Sequence, residues 1–512
     1  MSFSKVYSAQ TLGLSVGIVS VETDISRGLY AFNIVGLPDK AVEESRDRVS
    51  AAIKNTGLGS PKSKNQKVII SLAPASEKKE GPSFDVAIAL SYLVSAEEIN
   101  FNPEKKIFLG ELSLDGTLRP IRGILPITQF CKLKGIKEIY VPKENAEEAA
   151  IIEGIDVYGA DSLKSLISHL SGEKLIIKNF KTEFKKEIKI SKIDFSDIRG
   201  QERAKRGLLI AAAGGHNVAM YGPPGTGKSM LAKAFSGILP SLSFDEALEA
   251  TSIHSVAGTL TNFITEPPFR SPHHTSSYVS LVGGGTTPKP GEITLAHRGV
   301  LFMDEFPEFE RRVVESLRQP LEDKVISVAR AKGTANFPAN VILIAAMNPC
   351  PCGNYGFRGK PCICTPTSLQ RYRRKMSGPI IDRIDIWLEV DRISSEQLSG
   401  VEEGAKSEFF KSKVLDARNI QAARFSESNK NNKTHLLKNS EMSARDLINY
   451  ISLGSEAKNT LNMAADRLVF SPRVYHRMLK VARTIADLDN SKEITRDHIL
   501  EAVEYRPKKF DV

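Results

Sequence analysis

The middle of the chain contains three runs of consecutive apolar residues, each followed at once by polar or glycine-rich sequence. The runs are residues 218–221 (Val-Ala-Met-Tyr), 300–303 (Val-Leu-Phe-Met) and 341–347 (Val-Ile-Leu-Ile-Ala-Ala-Met). Unbroken apolar runs favour strands of a parallel sheet that helices cover on both faces, because neither side of such a strand meets water. The pattern therefore predicts an α/β core.

The flanking regions have different patterns. The first 170 residues mix short alternating strands with two or three helices. A lysine-rich stretch with little apolar pattern then predicts a linker. From residue 394 the pattern is helical, with a polar stretch at 426–433 that predicts a loop. The expected organisation is an N-terminal domain at 1–170, a linker at 171–192, a core at 193–392 and a C-terminal helical lid at 393–512.

The first apolar run leads into a glycine-rich octapeptide. Its residues are Gly222, Pro223, Pro224, Gly225, Thr226, Gly227, Lys228 and Ser229. This strand–loop–helix signature indicates a nucleotide-binding P-loop, in which backbone N–H groups cradle phosphate oxygens. Lys228 is expected to reach the β- and γ-phosphates, and the Ser229 hydroxyl to ligate Mg²⁺. A nucleoside triphosphate, ATP, and Mg²⁺ are therefore the expected ligands.

The other two apolar runs end in residues that suit hydrolysis. Asp304 and Glu305 follow the second run, where Asp304 is expected to hold the Mg²⁺ shell and Glu305 to polarise the attacking water. Asn348 follows the third run, where its amide can orient that water or contact the γ-phosphate. The alternative is that Asp304 and Asn348 only cap strand ends, but three motifs in this order favour an ATPase.

The overall composition gives weak evidence about the partner of the protein and its location. The net charge of +10 and the isoelectric point near 9.1 favour an acidic partner such as nucleic acid, although they also serve solubility. No apolar run approaches the ~18 residues that a membrane span needs, and the first residues do not resemble a signal sequence. We therefore expect a cytoplasmic protein with no membrane partner.

Four of the five cysteines lie close together in the sequence. They are Cys350, Cys352, Cys362 and Cys364. Four thiols within such a short segment of a cytoplasmic protein favour a tetrahedral structural zinc site over disulfides. The Cys-x-Cys spacing is tighter than the usual Cys-x₂-Cys, and four reduced thiols without a metal remain the alternative.

Motifs beyond the P-loop carry a resemblance to a known family. They are residues 269–274 (Phe-Arg-Ser-Pro-His-His), 282–285 (Val-Gly-Gly-Gly), 290–297 (Pro-Gly-Glu-Ile-Thr-Leu-Ala-His) and 378–385 (Gly-Pro-Ile-Ile-Asp-Arg-Ile-Asp). With these motifs the chain resembles the YifB/ComM family of magnesium-chelatase-like AAA+ ATPases over nearly its whole length. The resemblance implies a homo-oligomeric, hexameric ring motor that drives branch migration of DNA in natural transformation.

The resemblance also implies roles for two arginines. Arg383 matches the arginine finger of related ring ATPases, which supplies positive charge to the γ-phosphate in the transition state, often from a neighbouring subunit. Arg473 matches the sensor-2 arginine at the start of a lid helix. The alternative for each is a surface arginine paired with a carboxylate.

DNA contacts are expected in two segments. Residues 325–336 resemble the hairpin before sensor 1 in minichromosome-maintenance helicases, which makes Arg330 and Lys332 candidates for contacts with single-stranded or branched DNA. Phosphate contacts carry no base information, which suits a sequence-tolerant motor. Lys289 lies in a Gly/Pro-rich stretch that predicts a projecting loop. The alternative is a solvated basic turn. The histidines at 273 and 274 are expected to be structural.

The N-terminal domain resembles Lon-type peptidases (ribosomal S5 fold 2-like). Residues 79–84 (Lys-Glu-Gly-Pro-Ser-Phe) align Ser83 with the catalytic serine of that fold. Leu125 stands where Lon carries its catalytic lysine, and leucine cannot accept a proton. The resemblance therefore implies a peptidase-inactive domain.

Three alternatives to a DNA motor remain open. A chelatase subunit is disfavoured because, by resemblance, the dedicated ATPase subunit of that enzyme lacks a Lon-like domain. An ATP-dependent protease is disfavoured by Leu125. A protein remodeller without a nucleic-acid role uses the same motor, and the sequence does not separate it from a helicase.

Overall fold

The protein is described from a computed structural model. The described residues are 2–179, 193–260, 262–285, 288–330, 333–357, 360–393, 404–432 and 436–507. Within them, none of the helices combines the length and the apolar character that a bilayer crossing requires.

The N-terminal domain contains two four-stranded sheets, in the orders β1-β2-β4-β3 and β10-β9-β8-β5. Its strands are β1 (Ser2–Leu12), β2 (Ser15–Arg27), β3 (Ala31–Val35), β4 (Gln66–Ala73), β5 (Lys106–Phe108), β6 (Glu111–Leu112), β7 (Leu118–Arg119), β8 (Glu138–Pro142), β9 (Asp156–Ala160) and β10 (Lys178–Asn179). Its helices are α1 (Lys40–Thr56), α2 (Asp85–Ser95), α3 (Ile124–Leu133), α4 (Lys143–Ala149) and α5 (Leu163–Leu170), with single 3₁₀ turns at Pro61–Ser63 and Pro82–Phe84.

Helix α2 forms the centre of this domain. Every residue of α2 except Val94 is buried, because β1 and β2 cover one side of it and α1 the other. On β4 the side chains of Val68, Ile70 and Leu72 alternate inward, which is the period of a strand with one buried face.

The domain differs from the sequence expectation in two respects. It has five α-helices rather than two or three. In addition, β10 pairs antiparallel with β9, and the Ile176 N–H donates to Nδ1 of His169, so residues 171–179 belong to the domain rather than to a linker. A two-residue strand in a lysine-rich stretch is too short to produce a readable alternation. Residues 180–192 of the expected linker lie outside the described residues.

The core is built on a five-stranded parallel sheet in the order β12-β15-β18-β11-β19. Strands of the core are β11 (Val218–Tyr221), β12 (Phe269–Arg270), β13 (Gly283–Gly284), β14 (Lys289–Pro290), β15 (Val300–Met303), β16 (Val325–Arg330), β17 (Gly333–Pro338), β18 (Ile342–Met347) and β19 (Ile386–Glu389). Its helices are α6 (Glu202–Gly214), α7 (Lys228–Ile238), α8 (Phe244–Ala257), α9 (Tyr278–Val282), α10 (Glu292–Leu295), α11 (Arg311–Ser316), α12 (Arg318–Asp323), α13 (Pro366–Arg374) and α14 (Gly378–Ile381), with 3₁₀ turns at Phe195–Asp197 and Phe306–Glu308.

The strand β11 explains why the apolar runs are continuous. Val218 and Met220 face one hydrophobic cluster with α6 and α7, and Ala219 and Tyr221 face a second cluster on the other side of the sheet. Both faces of the strand are therefore buried, as the pattern predicted.

The C-terminal lid is helical, with α15 (Ser407–Asn432), α16 (Ala444–Tyr450), α17 (Ser455–Arg467), α18 (Pro472–Leu488), α19 (Arg496–Glu504) and a 3₁₀ turn at Asn439–Glu441. The prediction of a loop at 426–433 was wrong for residues 426–432, which continue α15. That stretch is polar but contains neither glycine nor proline, so nothing in it breaks a helix that the buried Phe425 anchors. Residue 433 lies outside the described residues.

The N-terminal domain contacts the core at two places. Leu14, in the β1–β2 turn, packs against the same cluster as the β16–β17 hairpin. Helix α3 packs against α8, whose Leu248 joins a cluster of the N-terminal domain. There the Glu148 carboxylate accepts hydrogen bonds from the Leu125 N–H and, at 2.5 Å, from the Ser255 hydroxyl, and burial raises its pKa.

Candidate nucleotide site and cysteine cluster

The P-loop connects the carboxyl end of β11 to the first residue of α7. Gly225 and Gly227 have φ angles of 78° and 90°, in the left-handed region that favours glycine. A Cβ on Gly222 would overlap the carbonyl oxygen of Val390, so glycine is needed there for close approach. The Thr226 hydroxyl donates to the Pro223 carbonyl at 3.0 Å and closes the turn.

Lys228 is the first residue of α7 and is buried. Its Nζ donates to the carbonyl oxygens of Gly222 at 2.7 Å and Pro223 at 2.8 Å, and lies 3.3 Å from Oδ1 of Asn348. Burial lowers the pKa of Lys228 to about 8, against the opposing effect of the Asp304 carboxylate. An anionic phosphate beside this ammonium group therefore favours its charged form.

Ser229 and Asp304 lie side by side, although Ser229 follows β11 and Asp304 follows β15, and these two strands are not neighbours in the sheet. The Ser229 hydroxyl donates to Oδ2 of Asp304 at 2.7 Å. A hydroxyl and a carboxylate oxygen at adjacent positions are ligands that Mg²⁺ accepts together with phosphate oxygens. The residues present therefore fit a magnesium ion held between the P-loop and the end of β15.

Asn348 follows β18, which lies between β11 and β15 in the sheet. Its side chain is near Lys228, and its carbonyl oxygen accepts a hydrogen bond from the Tyr372 hydroxyl at 3.0 Å. Helix α13 thus fixes the backbone of Asn348.

Glu305 occupies a turn with φ of 51°, where its N–H donates to Oδ1 of Asp304 at 2.9 Å. Its carboxylate is more than half exposed, and Oε2 lies 3.1 Å from Nδ1 of His274. The contact could not be predicted from the sequence, because the motif at residues 269–274 does not show which side chain His274 meets, and Glu305 lies 31 positions further along the chain.

The four clustered cysteines also come together. Cys350 Sγ lies 3.3 Å from Cys352 Sγ and 3.8 Å from Cys362 Sγ, and all four sulfur atoms lie within 4.8 Å of one another. A tetrahedron with Zn–S bonds of about 2.3 Å has edges of about 3.8 Å, so the set fits a zinc ion. The cluster also touches the P-loop, since a Cβ on Gly353 would lie 2.6 Å from Cδ of Pro224.

Arg383 lies at the opposite end of the sheet from its own P-loop. The carbonyl oxygen of Arg383 accepts a hydrogen bond from the Asn217 amide at 3.1 Å, and Asn217 precedes the amino end of β11. Four strand residues separate that end from the loop, about 13 Å at 3.3 Å per residue. The Arg383 guanidinium donates to the Pro379 carbonyl at 2.6 Å and pairs with Glu322.

Arg473 lies in the first turn of α18 and pairs with the same carboxylate, at 2.7 Å from Oε1 of Glu322. Both arginines border a cavity of about 630 Å³ at the amino end of the sheet. Six cationic side chains line it: Arg298, Lys324, Arg383, Arg473, Arg477 and Lys480. Glu322, Asp385 and Glu441 supply fewer negative charges, so the cavity suits an anionic ligand.

The candidate DNA residues occupy two hairpins. Strands β16 and β17 pair antiparallel from Val325 to Pro338, as the resemblance implied. Lys332 and the side chain of Arg330 lie outside the described residues. Lys289 is exposed on the short β13–β14 hairpin.

The aligned peptidase residues lie in the N-terminal domain. Ser83 is partly buried in a 3₁₀ turn, and its carbonyl oxygen accepts the Gly110 N–H at 3.0 Å. Leu125 is fully buried in α3. The buried Lys79 donates to the carbonyl oxygens of Pro74 and Glu77. The absence of peptidase activity stays a prediction.

Comparison with known proteins identifies the family. Residues 194–398 match a family model described as magnesium chelatase, subunit ChlI, and residues 404–506 match the C-terminal model of that subunit. The chain is 39% identical to the competence protein ComM of Haemophilus influenzae over 515 residues, covering 99% of this chain and 98% of that protein. It is 41% identical to the protein YifB of Escherichia coli over 510 residues, covering 99% and 97%. The chain belongs to the YifB/ComM family of magnesium-chelatase-like AAA+ ATPases.

Two further matches concern the likeness to minichromosome-maintenance proteins and the N-terminal domain. The chain is 25% identical to the DNA replication licensing factor Mcm6 of Drosophila melanogaster over 335 residues, covering 60% of this chain and 36% of that protein. Residues 21–145 match a model described as subunit ChlI of Mg-chelatase. That description removes the N-terminal domain as an argument against a chelatase role.

Proposed function

We propose that the protein is an ATP-driven ring motor that moves branched or single-stranded DNA in recombination, of the kind that natural transformation requires. The observation that carries the hydrolytic part is the convergence of Lys228, Ser229, Asp304 and Asn348 at one edge of the parallel sheet. In this proposal Lys228 binds the β- and γ-phosphates, Ser229 and Asp304 hold Mg²⁺, and Asn348 and Glu305 orient the attacking water. Mg²⁺, when bound, neutralises charge on the phosphates.

The positions of the two arginines support the proposed ring. Arg383 and Arg473 are separated from the P-loop of their own subunit by the length of the sheet, yet they line a cation-rich cavity. A neighbouring subunit that presents its γ-phosphate at this cavity gives both guanidinium groups an anionic partner. Each site is then complete only between two subunits. A head-to-tail contact of this kind generates either a ring or an open filament, and we propose a closed ring of six subunits.

Four observations support DNA as the proposed cargo. The chain is basic, and it carries two hairpins whose expected basic residues can contact phosphates without reading bases. A relative of nearly equal length is named as a competence protein, and a more distant relative is named as a DNA replication licensing factor. Arg330, Lys332 and Lys289 are the proposed phosphate contacts.

We also propose that Cys350, Cys352, Cys362 and Cys364 bind a structural zinc ion. The separations between their sulfur atoms support the assignment, and so does the Tyr355 N–H, which donates to Cys350 Sγ at 3.3 Å. Hydrogen bonds to sulfur are a common feature around bound thiolates.

A second candidate function is that of a chelatase-type subunit without DNA. The observation that favours it is that all three matching family models are described by the magnesium-chelatase subunit. This candidate predicts ATP turnover that DNA does not change.

The deciding experiment measures ATP turnover with and without single-stranded and forked DNA. We expect DNA to raise turnover in the wild type. Arg330→Ala combined with Lys332→Ala should reduce the stimulation and the salt dependence of DNA binding. Basal turnover should stay nearly intact, because the β16–β17 hairpin is a separate sheet from the P-loop strand.

The matched control is Lys174→Ala combined with Arg445→Ala, which removes the same charge from exposed positions in the N-terminal domain and the lid. The control should keep the stimulation. Turnover that is insensitive to DNA in the wild type would favour the chelatase-type or protein-remodelling alternative. Equal stimulation in the hairpin variant would move the DNA contact elsewhere, with Lys289 next to be tested.

A further inference from the structure

The Glu322 side chain bridges the two arginines that border the cation-rich cavity. One carboxylate oxygen pairs with the Arg383 guanidinium, and the other lies 2.7 Å from Nη2 of Arg473. The two arginines come from different parts of the chain, since Arg383 follows α14 in the core and Arg473 lies in α18 of the lid. A single carboxylate therefore brings a core arginine and a lid arginine to one point.

The other two acidic residues that line this cavity are engaged with other partners. Asp385 pairs with Arg477, and Glu441 accepts a hydrogen bond from the Asn340 amide at 2.8 Å. Among the described residues around the cavity, Glu322 is therefore the carboxylate that neutralises the two arginines.

The contact with Glu322 leaves hydrogen-bonding capacity unused on Arg383. The Arg383 side chain is more than nine-tenths buried, and its Nε has no hydrogen-bond partner within the described part of the chain. A carboxylate offers two oxygen atoms, whereas a terminal phosphate offers three and carries more charge. The Glu322 side chain is 44% exposed and that of Arg473 is 60% exposed, so a phosphate from outside the subunit can reach both. An incoming γ-phosphate can therefore replace the carboxylate.

We propose that Glu322 is a positioning residue that holds Arg383 and Arg473 together, releases them to the γ-phosphate of the neighbouring subunit and takes them back when that phosphate leaves. The inference rests on the ring proposed above. ADP has no γ-phosphate, so the two arginines stay with Glu322 when the neighbour holds ADP. Glu322 therefore weakens the interface that ATP forms and leaves the ADP-bound interface unchanged.

The test measures assembly by sedimentation velocity over a range of protein concentrations, with ADP or with an ATP analogue that has an imido group between its β- and γ-phosphates. Glu322→Gln keeps the size of the side chain and removes its charge. With the analogue, we expect the midpoint concentration for ring formation to fall about threefold to tenfold, the effect of two partly exposed ion pairs that no longer compete. With ADP, the assembly of the variant should match that of the wild type. A merely structural role predicts the same shift with both nucleotides.

Asp323→Asn is the matched control, because Asp323 is exposed at the next position and does not line the cavity. This variant loses the same charge and should assemble as the wild type does. Glu322→Asp keeps a carboxylate, so its midpoint with the analogue should lie closer to the wild type than that of Glu322→Gln.

Contrary results separate the inference from the ring on which it rests. A midpoint with the analogue that is unchanged or higher in Glu322→Gln refutes the exchange role, and so does the same shift with ADP or in Asp323→Asn. A wild type that forms no ring with either nucleotide shows instead that the proposed ring is wrong, and the inference falls with it. If Glu322→Gln does not fold, Glu322→Ala removes the same charge and should show the same shift with the analogue alone.

Discussion

Mixing two inactive variants tests the proposed sharing of one active site between subunits. Arg383→Ala removes the finger and leaves the subunit's own P-loop intact, while Glu305→Gln does the reverse. The substitution at Arg383 should not unfold the chain, because Glu322 keeps its pair with Arg473 and the backbone bond from Asn217 remains. Each variant alone should bind ATP and hydrolyse it poorly, with a loss of about 10³-fold for a missing finger.

The size of the rescue follows from the geometry. A working interface needs an intact Glu305 on one subunit and an intact Arg383 on its neighbour. In an equal mixture of exchanging subunits, about one interface in four meets both conditions, so turnover should recover to about a quarter of the wild-type rate. The recovery should follow the product of the two subunit fractions and peak at equal amounts.

The assay is phosphate release from mixtures over a range of ratios, with assembly followed by native mass spectrometry. Mixing Lys228→Ala with Glu305→Gln is the matched control, since both changes damage the same half of the site and no interface is restored. Mixed assemblies that recover no activity at any ratio would refute a finger that acts between subunits.

Three further predictions concern pH, metal and the N-terminal domain. The ATP affinity should weaken above pH 8 by up to about tenfold per pH unit. Burial lowers the pKa of Lys228 to about 8 and bound phosphate raises that pKa again, so ATP binding takes up a proton. In Lys228→Arg, any residual ATP binding should be insensitive to pH. Elemental analysis of the reduced protein should find about one zinc ion per chain. Cys350→Ser should remove the zinc, and Cys131→Ser should not. Wild-type protein without metal would contradict the proposed zinc site. Ser83→Ala should behave as the wild type and neither should cleave casein; cleavage that Ser83→Ala abolishes would restore the peptidase alternative.

The nucleotide site could be predicted from sequence because its motifs are local. A P-loop is a run of eight residues whose glycines and lysine act within one turn, and the strands that precede Asp304 and Asn348 are apolar on both faces. The strand β10 could not be predicted, because two residues that add to a sheet edge carry no pattern of their own. The prediction of a loop within α15 was wrong, because a polar stretch without glycine or proline can continue a helix as well as form a loop.

Contacts between residues that lie far apart in the sequence also could not be predicted. Neither the pairing of His274 with Glu305 nor the carboxylate that Arg383 and Arg473 share has a local signature, since the partners are separated by 31 or more positions. The sequence could name the arginines by motif, but only the sheet topology shows that they lie far from their own P-loop.

The lid and the core share one hydrophobic cluster, and this shared cluster limits how the two can move relative to each other. Met220 of the sheet, Phe235 of α7, Val414 of α15 and Met478 of α18 belong to that single cluster. Two domains that share a hydrophobic cluster cannot separate by a hinge motion without exposing that cluster to water. They can slide by small shear displacements, as packed helices do. In the proposed ring, each ATP cycle should therefore rotate the subunit slightly as a stiff body, and the larger movement should occur between neighbouring subunits.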